Sequence, residues 1–309
     1  MFRLAHLSDI HLGPLPGVTY RELASKRITG YINWHRNRRR HIHDGVTDRL
    51  LADMEHFRPG HIAITGDLVN LALTGEIEMA KAWLESFGNK DAVSVVPGNH
   101  DAYVPGALDK VCRSWAPWMK SETRPASTTR HGFPYLHRRG PLAIIGASSA
   151  QASAPFMASG TFSARQAAGL DELLQLTAAE GLFRVVIIHH PPVRGATHAH
   201  KRLYGIGRFQ KTIRRRGAEL ILHGHTHLAS IHTIDGPDGP VPVIGVPAAG
   251  QGPGGSKPAA QYNLFDIGGE TGNWTVRLLR RGITGSATEL ADIRSEDLSP
   301  ARKAKNALA

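Results

Sequence analysis

The sequence has little sulfur, few aromatic side chains and no long apolar run. Cys112 is the only cysteine in 309 residues, so an internal disulfide is impossible and a disulfide-stabilised secreted fold is excluded. The first residues lack the apolar stretch of a secretory signal, and the longest charge-free stretch, residues 141–164, is rich in small residues and proline. We therefore expect a cytoplasmic protein that does not span a membrane, with peripheral membrane contact left open.

Acidic residues are also in short supply. The chain has 26 of them against 37 lysines and arginines, which gives a formal net charge of +11. Such a surface favours anionic partners, whether nucleic acid, membrane or a phosphorylated small molecule. Histidine, by contrast, is abundant at 18 residues, and imidazole both binds borderline metals and exchanges protons near neutral pH. A metal site is therefore the first feature to search for.

Short apolar runs recur along the first 224 residues, with helical segments between several of them. Near-continuous Val, Ile and Leu predict strands that are buried on both faces. The predicted strands cover residues 3–7, 61–65, 92–96, 142–145, 184–188 and 219–222. Helices are predicted to begin at Asp44, Thr74 and Ser163, the last with Gln166 in a capping box.

Beyond residue 224, Gly and Pro clusters separate four more apolar runs, at 228–234, 241–246, 262–267 and 274–279. This pattern predicts an antiparallel meander. No linker-like composition divides the chain, so we predict one α/β (α+β) domain over residues 1–283, with mixed sheets flanked by helices. A basic, aromatic insertion occupies about residues 14–43. The tail, residues 284–309, is expected to be a short helix or disordered.

Five of the predicted strands run directly into potential metal ligands. The segments that follow them are Asp9-Ile-His11, Gly66-Asp67, Gly98-Asn99-His100-Asp101, His189-His190 and Gly224-His225-Thr226-His227. The carboxyl ends of strands in an open α/β sheet form the ligand crevice, so groups far apart in sequence converge there.

The spacing within these segments suits a shared cavity. In extended backbone, residues i and i+2 point the same way, so Asp9 with His11, and His225 with His227, can each present two donors. The glycines beside them let the backbone bend sharply near a cation, because glycine has no Cβ.

Each short motif is by itself common in turns and strand ends, but the ordered set is specific. DIH, GD, GNHD, HH and GHTH, from Asp9 to His227, resemble the motifs of the calcineurin-like metallophosphoesterase superfamily. Within it, the chain most resembles the small bacterial phosphodiesterases of the cyclic-nucleotide, glycerophosphodiester and phospholipid-cleaving branches. The resemblance implies a four-layer αββα sandwich of two mixed sheets, with a centre of two divalent transition metals.

The resemblance also implies the ligands. One metal would be held by Asp9, His11, Asp67 and His227, and the other by Asp67, Asn99, His189 and His225, so that Asp67 bridges. Either His189 or His190 can supply the imidazole, and His189 is preferred because it directly follows the strand, as in the family. Mixed imidazole, carboxylate and amide donors suit Mn, Fe, Zn or Co, of which Mn or Fe is favoured.

The implied chemistry is phosphodiester hydrolysis. A hydroxide bridging the two metals would attack phosphorus, His100 would protonate the leaving alkoxide as general acid, and Asp101 would orient the imidazole of His100. The small positive charge of such a centre suits a phosphodiester monoanion without excluding a monoester. The expected substrate is a small or lipid-linked phosphodiester: a phospholipid head group, a glycerophosphodiester or a cyclic nucleotide.

Two basic segments are candidates for substrate or surface contacts. Residues Arg21–Arg40 contain seven basic residues and one acid, together with Tyr31 and Trp34. This segment either lies on an anionic membrane, through Trp34 and the arginines at 36, 38, 39 and 40, or forms a lid or an oligomer contact. In each case it should overhang the metal site, because it follows His11. The loop with Arg194, His198 and His200 either contacts a substrate phosphate or is solvated.

Two other functions remain to be weighed. A nuclease of the same superfamily fits the basic surface, but little beyond the core is present to bind DNA, so nucleic acid is not the favoured partner. A non-catalytic scaffold is disfavoured because every expected ligand type is present, and metal analysis of the purified protein separates these cases. Cys112 has no base signature around it and is given no catalytic role.

Overall fold

A computed structural model describes residues 1–35, 45–123, 129–285 and 289–299 of the chain. The α-helices within these ranges are α1 (Tyr20–Leu23), α2 (Arg27–Asn33), α3 (Val46–His56), α4 (Thr74–Glu85), α5 (Ala107–Ser114), α6 (Ala164–Ala179) and α7 (Ile206–Arg216). The strands are β1 (Phe2–Leu7), β2 (His61–Ile64), β3 (Val93–Val95), β4 (Tyr135–Arg139), β5 (Leu142–Gly146), β6 (Gly160–Thr161), β7 (Phe183–Ile187), β8 (Leu203–Tyr204), β9 (Leu220–His223), β10 (Ser230–Asp235), β11 (Pro240–Gly245), β12 (Gln261–Gly268), β13 (Thr275–Thr284) and β14 (Glu289–Asp297).

Two six-stranded mixed sheets form the centre of the fold. The first has the order β14-β13-β12-β1-β2-β3 and the second the order β10-β11-β9-β7-β5-β4. Apolar side chains of both sheets, such as Leu4 and Ile64 from the first and Ile144 and Leu222 from the second, belong to one buried cluster. The predicted α/β sandwich of two mixed sheets is therefore confirmed.

Helices cover the outer faces of both sheets. Helices α3 and α4 bury one side each in the large core cluster, through residues such as Leu50 and Ile77. Helices α6 and α7 cover the second sheet, where Leu170 and Phe209 belong to the same buried cluster as Val186. Among the described residues, none of the helices combines the length and the apolar character needed to cross a membrane.

The helix caps differ in detail from the prediction. The side chain of Ser163 caps α6 by accepting a hydrogen bond from the backbone N–H of Gln166. The Gln166 side chain does not return to Ser163 but bonds to the backbone N–H and carbonyl of Ser148. Only half of the predicted capping box therefore forms. The side chain of Gln166 instead ties α6 to the loop after β5. Asp44, predicted to cap α3, lies outside the described residues, and Gly45 occupies the N-cap position.

The predicted antiparallel meander is correct only in part: β10 pairs with β11 and β12 pairs with β13 in antiparallel fashion, but β11 and β12 lie in different sheets. Strands β10 and β11 are antiparallel to each other, but β11 pairs with β9 in parallel within the second sheet. Strand β12 crosses to the first sheet, where it lies antiparallel to β1. The apolar runs correctly predicted the four strands. A local sequence pattern does not determine which sheet each strand joins.

The prediction for the tail also needs correction. Residues Glu289–Asp297 form β14, which pairs antiparallel with β13 at the edge of the first sheet. The sheet therefore continues beyond residue 283. This strand is mostly exposed and charged, as edge strands often are, so it lacks the apolar run that predicts a buried strand.

Strand direction places the predicted ligand segments at common edges. Strands β1, β2 and β3 are mutually parallel neighbours in the first sheet, and β7 and β9 are parallel neighbours in the second. Each sheet therefore gathers the segments that follow these strands at one of its edges.

Candidate metal centre

The segments after β1, β2 and β9 enter the site through left-handed backbone. Five of the seven predicted ligands, Asp9, His11, Asp67, His225 and His227, have φ between 50° and 68°. Such values are uncommon for residues other than glycine and concentrate at functional sites. The prediction that Asp9 with His11, and His225 with His227, point the same way through extended backbone is therefore wrong. Their segment is held instead by backbone N–H groups of Asp9 and His11 that donate to the carbonyls of Gly66 and Asp67.

One group of potential ligands contains Asp9, His11 and His227. One ligand atom of each lies within 4.8 Å of the others. His227 Nε2 is 3.1 Å from Asp9 Oδ1, while Asp9 Oδ2 accepts a hydrogen bond of 2.9 Å from the backbone N–H of His225. This group corresponds to the first predicted metal position without Asp67.

A second group contains Asp67, His189 and His225, again with ligand atoms within 4.8 Å of one another. His189 Nε2 lies 3.3 Å from Asp67 Oδ2 and 3.2 Å from Asn99 Oδ1. Asp67 also belongs to a third group, with His11 and His100. Asp67 therefore shares one group with His11 and His100 and another with His189 and His225.

Three of these imidazoles are oriented by backbone carbonyls. His11 Nδ1 is 3.1 Å from the carbonyl oxygen of Val69, His189 Nδ1 is 2.6 Å from that of Thr65, and His225 Nε2 is 3.0 Å from that of Lys201. Because a carbonyl oxygen only accepts, each of these nitrogens carries a proton, and the opposite nitrogen is the one that can offer a lone pair to a cation. Metal-binding histidines are typically held in this way. The donor set fits a pair of divalent transition-metal cations.

The charges of the site are strongly coupled. Burial tends to raise the pKa of Asp9, but the imidazoles of His227, His189 and His11 outweigh it and hold that pKa well below its ordinary value. Burial tends to lower the pKa of His189, yet the carboxylates of Asp67 and Asp9 raise it to about 9. Without cations, a proton on His189 thus balances the acids, and metal binding would release it.

His190 has a structural role. Its Nδ1 lies 2.8 Å from Ser149 Oγ, and its Nε2 lies 3.0 Å from the carbonyl oxygen of Ala158. Burial lowers the pKa of His190 to about 3, and it belongs to none of the groups of potential ligands among the described residues. Of the two neighbouring histidines, His189 is the one whose ring faces Asp67 and Asn99.

The predicted role of Asp101 is wrong. Its carboxylate does not reach the ring of His100 but accepts four backbone N–H groups, from Asp67, Leu68, Val69 and Gly98, over 2.8–3.2 Å. It thereby fixes the loop that carries Asp67. The ring of His100 is oriented by Asn70, whose carbonyl oxygen lies 2.6 Å from Nδ1. No sequence signal identifies such a partner, because every residue has a carbonyl.

Glu76 is a further residue that the sequence did not reveal. It is buried at the start of α4, and its carboxylate accepts the backbone N–H groups of Asn70, Leu71 and Leu73 over 2.8–3.0 Å. The segment from Asp67 to Leu73 is thus held by two buried carboxylates, those of Asp101 and Glu76.

Gly98 is required by close approach. A Cβ at this position would lie 2.1 Å from Asp67 Oδ1, so any other residue would displace the carboxylate that two of the groups share. The backbone N–H of His100 donates to the same oxygen over 2.7 Å. The GNHD segment therefore positions Asp67 as well as offering side chains of its own.

The three residues predicted to contact substrate lie at the surface. Arg194 lines an open cavity of about 620 Å³ together with Gly207, Gln210, Lys211, Arg214 and Arg215 of α7. None of these residues belongs to the groups of potential ligands. His198 and His200 are exposed, with their rings stacked at a centroid distance of 5.8 Å. The loop that carries them meets the site through the carbonyl of Lys201, which holds His225.

Comparison with known proteins agrees with this geometry. A family model for calcineurin-like phosphoesterases matches residues 2–229, and no curated protein sequence matches the chain. Among solved structures, a dimetal phosphatase from Danio rerio is similar with a TM-score of 0.60 at 11% identity, over 96% of this chain and 98% of that chain. A purple acid phosphatase from yellow lupin (Lupinus luteus) seeds gives a TM-score of 0.56 at 13% identity, over 94% of this chain and 52% of that chain. At these identities the likeness concerns the fold alone.

Proposed function

Because the chain belongs to the calcineurin-like phosphoesterase family, whose members are metal-dependent phosphoric ester hydrolases, we propose that it hydrolyses phosphodiesters at a centre of two divalent cations. The observation that carries the proposal is the convergence of residues that follow five strands on three overlapping groups of potential ligands, two of which contain Asp67. The proposed substrate is a small or lipid-linked phosphodiester.

The proposed ligands follow the two groups. Asp9, His11, Asp67 and His227 would hold one cation, and Asp67, Asn99, His189 and His225 the other. When bound, such a pair supplies Lewis-acid chemistry, namely neutralisation of phosphate charge and activation of a water. Mn or Fe is the proposed metal, because imidazole and carboxylate donors together favour a transition metal over Mg.

His100 is the proposed general acid. With Nδ1 donating to Asn70, its Nε2 is the nitrogen left to face the site, and its ring lies against that of His11 at a centroid distance of 4.8 Å. Protonated at both nitrogens, His100 would donate from Nε2 to the leaving-group oxygen. Asn70, held by Glu76, would keep the ring in that position.

The charge of the site supports a diester. Two divalent cations and the two aspartates of the proposed ligand set would leave a charge of +2, or about +1 once the activated water has lost a proton, and one diester anion balances the latter. The two similar structures named above are phosphatases, which makes a phosphomonoester the first competing substrate. The relative rates of phosphodiester and phosphomonoester hydrolysis decide between these two substrate classes.

The experiment compares both ester classes on protein reconstituted with Mn²⁺ or Fe²⁺. We expect kcat/KM for bis(4-nitrophenyl) phosphate to exceed that for 4-nitrophenyl phosphate by about tenfold or more, equivalent to about 1.4 kcal/mol of transition-state stabilisation. Cyclic nucleotides, glycerophosphodiesters, phospholipids and single-stranded DNA complete the panel. A preference for the monoester overturns the diester assignment, preference for DNA favours the nuclease, and no hydrolysis of any ester overturns the proposed activity.

A further inference from the structure

Helix α2 packs directly over the residues beside His100. A Cβ built on Gly30 would lie 2.3 Å from the hydroxyl oxygen of Tyr103 and 2.6 Å from Leu71 Cδ2, so the helix backbone touches both side chains. The ring of Tyr103 stacks on that of His100, with centroids 5.6 Å apart and planes at 23°. The insertion therefore reaches the proposed general acid through a single intervening ring.

Lys26 anchors this segment to the opposite rim of the site. Its ammonium donates to Ser153 Oγ over 3.0 Å and to the carbonyl of Met157 over 3.1 Å. It also lies 4.6 Å from the centroid of the Tyr103 ring, a distance at which a cation is attracted to the ring face. Its partial burial lowers the pKa of the Lys26 ammonium.

Arg27 anchors the same segment to the near rim. Its guanidinium donates to the carbonyls of Leu71 and Ala72 over 2.9 Å and 2.6 Å. Leu71 follows Asn70 in the loop after β2 of the first sheet, whereas Ser153 and Met157 follow β5 of the second. Residues 20–33 therefore bridge the edges of both sheets across the candidate metal centre.

The space left beneath α2 is small. A cavity of about 20 Å³ is lined by Gly30, Trp34, Asn70, Leu71, His100 and Tyr103, among others. One water-sized group needs roughly 10–15 Å³ by this measure. The structure therefore has room for only one or two water-sized groups on this side of His100.

These contacts bear on the membrane alternative. Trp34, predicted to be an anchor for an anionic bilayer, is only 6% exposed. The arginines at 36, 38, 39 and 40 lie outside the described residues. Ile28 and Ile32 of α2 are exposed apolar side chains. The segment is thus fastened to the site by its buried side.

We propose that α1 and α2 form a lid, latched by Lys26, that limits the size of the leaving group admitted beside His100. The inference rests on the proposed function and adds that Lys26 determines the selectivity of the hydrolysis for the size of the leaving group. Lys26 is a positioning residue in this account, because it acts through the placement of α2 and Tyr103. Loss of its ammonium should loosen α2 and make room for larger leaving groups.

Hydrogen exchange tests the latch without requiring activity. Lys26→Met removes the ammonium and keeps the apolar stem, and Lys110→Met is the matched control on the exposed side of α5. Amide exchange in residues 20–33, followed by mass spectrometry in metal-free protein, should be about tenfold or more faster in Lys26→Met, since hydrogen bonds to a charged group are lost. It should match wild type in Lys110→Met. Unchanged exchange in Lys26→Met overturns the latch.

Leaving-group size tests the selectivity. Methyl 4-nitrophenyl phosphate and methyl 4-methylumbelliferyl phosphate share one ester group and differ in the bulk of the departing phenol. The ratio of kcat/KM for the larger over the smaller ester should rise about tenfold in Lys26→Met, and also rise in Gly30→Ala, where a Cβ would displace α2. Gly17→Ala, whose Cβ would meet nothing within 4 Å, should keep the wild-type ratio.

The outcomes separate the two proposals. If exchange accelerates but the ratio stays at the wild-type value in both lid variants, the lid exists and does not select leaving groups, so the inference is overturned. If wild-type protein loaded with metal hydrolyses neither ester, the proposed function has failed, whereas the exchange measurement still decides whether Lys26 latches the lid.

Discussion

The carbonyl oxygen of Asn70 accepts a hydrogen bond of 2.6 Å from Nδ1 of His100. This bond fixes the tautomer and the direction of the ring, so that Nε2 is the nitrogen that faces the candidate metal centre. His100 therefore has the arrangement of the metal-binding histidines, yet it lies at the edge of the site beside Tyr103. Its assignment as acid or as ligand is open to direct test.

We expect His100→Asn to retain the full metal content and to lower turnover by roughly 10² to 10⁴ fold, the usual scale of general acid catalysis. The loss should be greatest for diesters with poor alkoxide leaving groups, because these need the proton most. Metal analysis and rates on aryl and alkyl diesters check this. Loss of one metal, with equal effects on good and poor leaving groups, would show that His100 is a ligand.

Glu76 should matter for activity although it lies outside the ligand groups. Glu76→Gln replaces one accepting oxygen by an amide that cannot accept the N–H groups of residues 70–73, and we expect a loss of about 2 kcal/mol in the free energy of unfolding. Turnover should fall as well, since Asn70 no longer holds His100 firmly. Glu78→Gln, on the exposed side of the same helix, is the control. Urea unfolding and diester kinetics measure both effects, and a variant indistinguishable from Glu78→Gln contradicts the role.

A buried chain of polar groups links the two sheets away from the metal centre. His61 Nε2 lies 2.8 Å from Ser94 Oγ, which lies 2.7 Å from His137 Nδ1, and His137 Nε2 lies 2.8 Å from the carbonyl oxygen of Lys120. Burial lowers the pKa of His137 to about 4, assisted by the charge of Arg139. Burial likewise holds the pKa of His61 well below its ordinary value.

These buried histidines predict that acid lowers the stability of the folded protein. The ordinary histidine pKa is 6.5, so between about pH 6.5 and pH 4 the unfolded chain binds protons that the folded chain does not, and stability falls as the pH falls. Removing one such group with His137→Gln should reduce that slope by about 1.4 kcal/mol per pH unit. Urea unfolding of metal-free protein at several pH values measures it, with exposed His131→Gln as control. An unchanged slope in His137→Gln contradicts the assignment.

The strands before the metal ligands could be predicted because burial on both faces selects continuous Val, Ile and Leu. The same reasoning could not place β12 beside β1, since pairing depends on which edges are free in three dimensions. It also missed β14, whose exposed, charged residues carry no apolar pattern. Chain direction and sheet membership are tertiary properties, and a local pattern contains little information on them.

The candidate metal-binding residues could be predicted from the order of their motifs along the chain. The hydrogen-bond partners that orient their side chains could not. The histidine rings are held by backbone carbonyls, those of Asn70, Thr65, Val69 and Lys201. The side-chain types of these four residues give no indication of that role. Asp101 shows the converse error. Because Asp101 follows His100 in sequence, its carboxylate was predicted to orient the His100 ring. Instead, buried backbone N–H groups of the loop that carries Asp67 donate to both oxygens of Asp101.

The central claim is that two cations joined by Asp67 are required for phosphodiester hydrolysis. The most direct measurement titrates metal-free protein with Mn²⁺ and follows bound metal per chain together with turnover of bis(4-nitrophenyl) phosphate, for wild type and Asp67→Ala. The account predicts that wild-type activity saturates at two metals per chain and that Asp67→Ala binds less metal and is inactive. Full wild-type turnover at one metal or none, or normal turnover and metal content in Asp67→Ala, would contradict it.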